Sequence, residues 1–130
     1  MRERFWRRGF AVAGAAALAA TLSTGTAGAS SGAAWIGDGY PNTPQGVWCV
    51  QHLANHVARQ QGRATVAEDK LWGPRTKAQV QWFQSFVGVT PDGIVGPFTG
   101  DNLLYRGDPG YGGTSGSCFA HIPSDSGLTD

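Results

Sequence analysis

Charge is scarce in this chain of 130 residues: charged side chains make up 15%, and ten basic groups against nine acidic ones leave a net charge of +1. Even that excess sits at the start. Residues 1–29 hold four arginines against Glu3, so residues 30–130 carry six basic and eight acidic groups. The clustered Lys and Arg stripe of a nucleic-acid binder is missing, and so is the polybasic patch of a membrane-surface protein. Long hydrophobic runs are missing as well. The apolar stretch from Gly9 to about Leu22 is too short and too alanine-rich to span a bilayer.

That stretch has another reading. Arg2, Arg4, Arg7 and Arg8 precede it, and Ala27-Gly28-Ala29 places small residues where a signal peptidase cuts. Residues 1–29 are therefore expected to be an export signal, with the mature chain beginning at Ser30. Arg7-Arg8-Gly9-Phe10 resembles the twin-arginine signal, and an ordinary secretory signal with an arginine pair is the alternative. The location implied is extracellular.

There are only two cysteines, Cys49 and Cys118. In an exported protein such a pair most simply forms one disulfide. Closing so long a loop stabilises a fold by roughly 4 kcal/mol on the chain-entropy account, which matters because a domain this small buries only a modest core.

Residues 30–45 are rich in Ser, Gly, Ala, Pro and Asn and read as a loosely held lead-in. Residues 106–130 are similarly glycine-rich, and the cysteine pairing would pin them at Cys118. The ordered domain is expected over 46–105. Its first helix follows Gly46, with Val47, Val50, Leu53, Ala54 and Val57 on one stripe and Gln60-Gln61-Gly62 as its stop. A second begins at Gly73-Pro74, where proline suits the first helical turn. It carries Thr76, Val80, Phe83 and Val87, and Gly88 ends it as a left-handed cap. A third opens at Gly96-Pro97 with Thr99, Leu103 and Leu104 and ends by Gly107. The fold class is all-α, a compact three-helix domain with an irregular, disulfide-tethered tail.

The two later helices open in the same way. Asp69-Lys70-Leu71-Trp72-Gly73-Pro74-Arg75-Thr76 recurs as Asp92-Gly93-Ile94-Val95-Gly96-Pro97-Phe98-Thr99. In each copy the Asp can bond its own backbone turn, an apolar pair pins the loop and Gly-Pro redirects the chain.

These residues resemble a known family, the small three-helix peptidoglycan-binding domains found on bacterial cell-wall hydrolases. Val47, Val50, Gln51 and Leu53 are similar to its first helix, and Thr76, Val80, Phe83 and Gln84 to its second. Gly88-Val89 with Asp92 through Thr99 and Leu103 is similar to its closing motif. The resemblance covers about residues 46–104 and implies a non-catalytic module that binds the glycan or stem peptide of peptidoglycan. Family members usually sit beside a hydrolase domain. A chain this short is expected to leave no room for one, so the module is expected to act alone, to serve a separate wall hydrolase as partner, or to tether an activity borne by its tail. The sequence departs from the family pattern at Lys70 (usually glycine), Trp72 (phenylalanine), Gln79 (a small apolar residue) and Gly100 (often tryptophan).

Candidate chemistry is thin. His52 and His56 are four apart, a spacing that can share a metal, and His121 would be drawn near by the disulfide. However, Leu, Ala and Asn fill positions 53–55, where a helical metalloprotease needs a glutamate. Asp69 and Asp92 already have turn roles, so they do not read as a hydrolytic carboxylate pair. No serine sits on a strand-to-helix elbow. The expectation is therefore no enzyme, no catalytic residue, no metal and no cofactor, with a small zinc-dependent wall hydrolase and a protein-interaction or inhibitor module as rivals. The expected ligand-binding residues are Trp82 and Phe86, one turn apart on the second helix, with Gln84, Asp92 and Tyr105. Trp72 is expected to be a buried anchor.

Overall fold

A computed structural model describes residues 32–125. The export-signal reading of residues 1–29 lies outside them. Three helices follow in order, α1 (Pro44–Gln60), α2 (Pro74–Val87) and α3 (Pro97–Arg106), then a short 3-10 turn at Phe119–His121. Among the described residues the only strand-like pairing is an isolated antiparallel bridge between Ile36 and Val95. The helices therefore match the sequence expectation in number and order. None of the described helices is long and apolar enough to cross a membrane.

Each helix begins on proline. α1 starts two residues before Gly46, because the Thr43 hydroxyl accepts the Gly46 N–H at 3.2 Å and supplies the N-cap. Gly88, at φ 85°, closes α2 as expected, and the Val89 N–H reaches back to the Gln84 carbonyl at 2.9 Å.

α1 is the central element and packs against both other helices and the 3-10 turn. Its stripe of Val47, Val50, Leu53, Ala54 and Val57 meets Val80 and Phe83 of α2 and Leu103 and Leu104 of α3. Two segments outside the helices complete this core. From the lead-in, Ile36 is buried and exchanges two backbone bonds with Val95, at 3.1 and 2.7 Å. This corrects the expectation of a loosely held segment for that stretch, since an apolar side chain and a backbone bridge fix it.

From the tail, Ile122 is buried, and Cys118 is joined to Cys49, with 5.7 Å between their α-carbons. The tail also accounts for Gly100. A Cβ at residue 100 would fall on the carbonyl oxygen of Pro123 and stand 3.0 Å from the Ile122 side chain. Where the family often carries a tryptophan, this chain lays its own tail against α3. Gly107 is under the same constraint, because its Cβ would meet Leu53 Cδ2 at 2.6 Å. Ser124 then donates a hydrogen bond to Asp101 of α3.

Trp72 is the second correction. It is half-buried against the core rather than enclosed in it, and its indole N–H donates to Asp38 at 2.9 Å. The indole thereby ties the first repeat loop to the lead-in. Lys77 reaches the other oxygen of Asp38 at 2.7 Å. These two contacts hold the Asp38 carboxyl below the usual carboxylate range, the Lys77 hydrogen bond most of all.

Candidate functional site

The repeated loops are organised from beneath by two glutamines. Gln51 of α1 is buried, and its Nε2 donates to Asp69 Oδ1, the Leu71 carbonyl and Thr76 Oγ1 at 2.9–3.1 Å. Its Oε1 accepts the Lys70 N–H at 3.0 Å. Gln84 of α2 is equally buried and does the same for the second loop. Its Nε2 donates to Asp92 Oδ1, the Ile94 carbonyl and Thr99 Oγ1 at 3.0–3.1 Å, while its Oε1 accepts the Gly93 N–H at 2.9 Å. In both loops the Asp Oδ1 also takes the N–H two residues on, which is the Asx-turn. The Leu71 N–H and the Gln51 amide depress the Asp69 pKa.

The turn forces positive φ at the residue after each Asp, 69° at Lys70 and 76° at Gly93. This is the position at which the family pattern has glycine.

Above each loop lies an open groove. The second-loop groove has a volume of about 470 Å³ and runs between the end of α2 and the start of α3. Gln84 and Asp92 line it, with Ile94, Phe98 and, from the lead-in, Trp35. The first-loop groove, of about 420 Å³, is lined by the equivalent Asp69, Leu71 and Thr76, with Arg75 standing where the second has Phe98. The duplication thus yields two like-shaped recesses with different rims.

The five expected ligand residues fall in three places. Gln84 and Asp92 meet in the second-loop groove. Gln84 is committed to the loop beneath it, so it positions Asp92 rather than reaching outward. Trp82 and Phe86 lie on the opposite side of α2 from Gln84, since two helical steps are about 200°. Their rings stack on each other, centroids 5.5 Å apart and 16° from parallel, with the Arg63 guanidinium 5.1 Å over Trp82. Trp82 is half-buried against the core, and Phe86 beside it is exposed. Tyr105, 70% exposed on α3, lines neither groove. Trp35 was not legible as a site residue, because the lead-in has no period to place it.

Behind the shelf, Gln79 is buried where the family has a small apolar residue. It accepts Arg63 Nε at 2.8 Å and donates to Asn55 Oδ1 and the Ala64 carbonyl. Asn55 continues the network to Val66 and Glu68. A buried polar side chain is tolerated here because every group finds a partner.

His52 is held among side chains of three segments. His52 Nδ1 lies 3.0 Å from Glu68 and Nε2 2.8 Å from Asp108, and its ring stacks on Trp48 and meets Tyr111 edge-on. These contacts clasp α1, the first loop and the tail at one point. Burial works against ionisation of Glu68, but the Asn55 and His52 hydrogen bonds and the positive charge of His52 and Arg59 hold its pKa below the ordinary value. Asp108 is lowered mainly by the Gly110 N–H and then by His52. Among the described residues, no group of three or more His, Cys, Asp or Glu is placed to hold a metal ion.

Fold and site together define a small helical module with two glutamine-anchored surface grooves. Residues 57–103 match the family model described as a putative peptidoglycan binding domain. It is 39% identical to a zinc D-Ala-D-Ala carboxypeptidase of Streptomyces albus G over 102 residues, 75% of this chain and 40% of that protein. It is also 50% identical over 42 residues to an uncharacterized protein in the bpoA1 3′ region of Kitasatospora aureofaciens, 32% of this chain and 36% of that protein. The chain thus spans well under half the length of these two relatives. No solved structure matches it.

Proposed function

We propose that this chain is an exported, non-catalytic module that binds bacterial cell-wall peptidoglycan in the second-loop groove. The observation that carries the reading is the groove itself, with Asp92 held open to solvent by a buried Gln84 within the segment that matches the peptidoglycan-binding family. The name of the Streptomyces relative points to the same polymer, because D-Ala-D-Ala is a wall-peptide terminus. The occupied state of the candidate catalytic groups supports a non-catalytic role. Both nitrogens of His52 face carboxylates, the two cysteines are bonded together, and Asp69 and Asp92 each spend an oxygen on their turns.

The Trp82–Phe86 shelf provides a second contact on the far side of α2, which a polymer as extensive as the wall reaches together with the groove. The same reading places the protein outside the cytoplasmic membrane, beside a separate wall hydrolase. Co-sedimentation of the purified protein with protein-free sacculi, paired with an assay for wall lysis, tests it. Binding without lysis is the expected result, and lysis or failure to sediment would contradict it.

A further inference from the structure

We infer that the second-loop groove takes the glycan strand of peptidoglycan, not its stem peptide, and that Trp35 of the lead-in is its stacking platform. This inference rests on the wall-binding reading above and names the part of the polymer that the groove recognises.

Trp35 lies outside the stretch that matches the family model. Its ring is held flat over the second loop, with ring atoms 3.5 Å from where a Cβ of Gly96 would stand. Tyr40 supports it, ring centroids 5.8 Å apart. The next residue, Ile36, is locked into the core by its two bonds to Val95. Trp35 is nevertheless 45% exposed, and Phe98 on the same groove is 68% exposed. A core residue would not be held so firmly and left so open.

The polar chemistry points the same way. Asp92 uses Oδ1 for Gln84 and Ile94, while Oδ2 makes no hydrogen bond within the described residues and is free to accept. No Lys or Arg lines this groove. A pyranose presents a C–H face that stacks on an aromatic ring and hydroxyls that donate to a carboxylate. The carboxylates of a stem peptide find no basic side chain in this groove and face the like charge of Asp92. The sister groove provides the contrast, since Arg75 occupies the position of Phe98 there.

The test uses glycan strands freed of peptide by an amidase, alongside the released stem peptides and intact sacculi, with the whole mature chain. The wild type should bind strands and sacculi but not free peptides. Trp35→Ala should weaken strand binding by about fivefold, the size of one aromatic stack. Asp92→Asn keeps the Oδ1 acceptor and should weaken binding by about tenfold, as expected for a lost charge-assisted bond. Both should retain the wild-type helical circular dichroism, and Arg75→Ala should bind strands like the wild type. Binding of free peptides in place of strands, with sacculi still bound, would overturn this inference and leave the wall-binding reading standing. Unchanged strand binding by folded Trp35→Ala would also overturn it. Failure of the wild type on intact sacculi would bring down both.

Discussion

Gln51 and Gln84 sit on different helices yet make the same four hydrogen bonds, each to the Asp, the following N–H, the apolar carbonyl and the Thr hydroxyl of its own repeat loop. The two loops are thus one device used twice. A buried amide with every group satisfied is favourable only as a complete set, because each orphaned partner adds its own desolvation cost.

Gln84→Leu and Gln51→Leu should therefore each destabilise the protein by about 2–4 kcal/mol, within about 1 kcal/mol of each other. Urea unfolding measures both. A loss below about 1 kcal/mol in either would show that the loop holds its shape without its glutamine.

Lys70 and Gly93 occupy the same turn position at positive φ. A residue with a Cβ is strained there by about 1–2 kcal/mol, partly offset by the greater chain freedom of glycine when unfolded. Lys70→Gly should raise stability by about 0.5–1 kcal/mol, and Gly93→Ala should lower it by about 1–2 kcal/mol. Opposite signs for the pair confirm the shared turn, and a destabilised Lys70→Gly would refute it.

The clasp at His52 makes stability fall in acid. Glu68 and Asp108 have pKa values lowered in the folded state. Their contribution is present above the ordinary carboxylate pKa and disappears as pH falls through the lower folded values. Unfolding measured from about pH 6 down to about pH 2 should show this acid limb, made shallower by Glu68→Gln combined with Asp108→Asn. An identical limb in the double variant would remove the clasp from the account.

The two half-buried tryptophans of the matched segment should behave differently. Trp82→Ala removes a ring from the outward shelf and should weaken sedimentation with sacculi about fivefold while helical circular dichroism persists. Trp72→Ala loses packing and the bond to Asp38, and should cost about 1–3 kcal/mol of stability, less than a fully buried ring would. Unchanged sacculus binding in folded Trp82→Ala would remove the shelf from the binding surface.

The parts of the fold that follow from local chemistry were legible in the sequence. Pro74 with Gly88, Pro97 with Gly107 and the spaced apolar residues define α2 and α3 without tertiary information. The pairing of Cys49 with Cys118 follows from their being the only two cysteines. Gln51 and Gln84 are legible as positions of the family pattern, and Gln84 as an expected ligand residue, but their role beneath the loops is not, because the unequal lengths of chain between each glutamine and its Asp hide their equivalence. Gly100 shows only as a departure from a pattern, because its reason lies in a tail with no period of its own. Ile36 and Trp35 stand among small and polar residues, so neither the core role of one nor the groove role of the other has a local signal. Trp72 looks apolar enough for the core, but its indole N–H needs a partner and finds one at the surface in Asp38.

The central claim is that this chain holds the cell wall without cutting it. Sedimentation of the purified mature protein with sacculi stripped of protein, followed over time for released wall fragments, tests that claim most directly. The account predicts saturable co-sedimentation and no release of fragments. A folded protein that stays in the supernatant, or one that dissolves the sacculi, would contradict it.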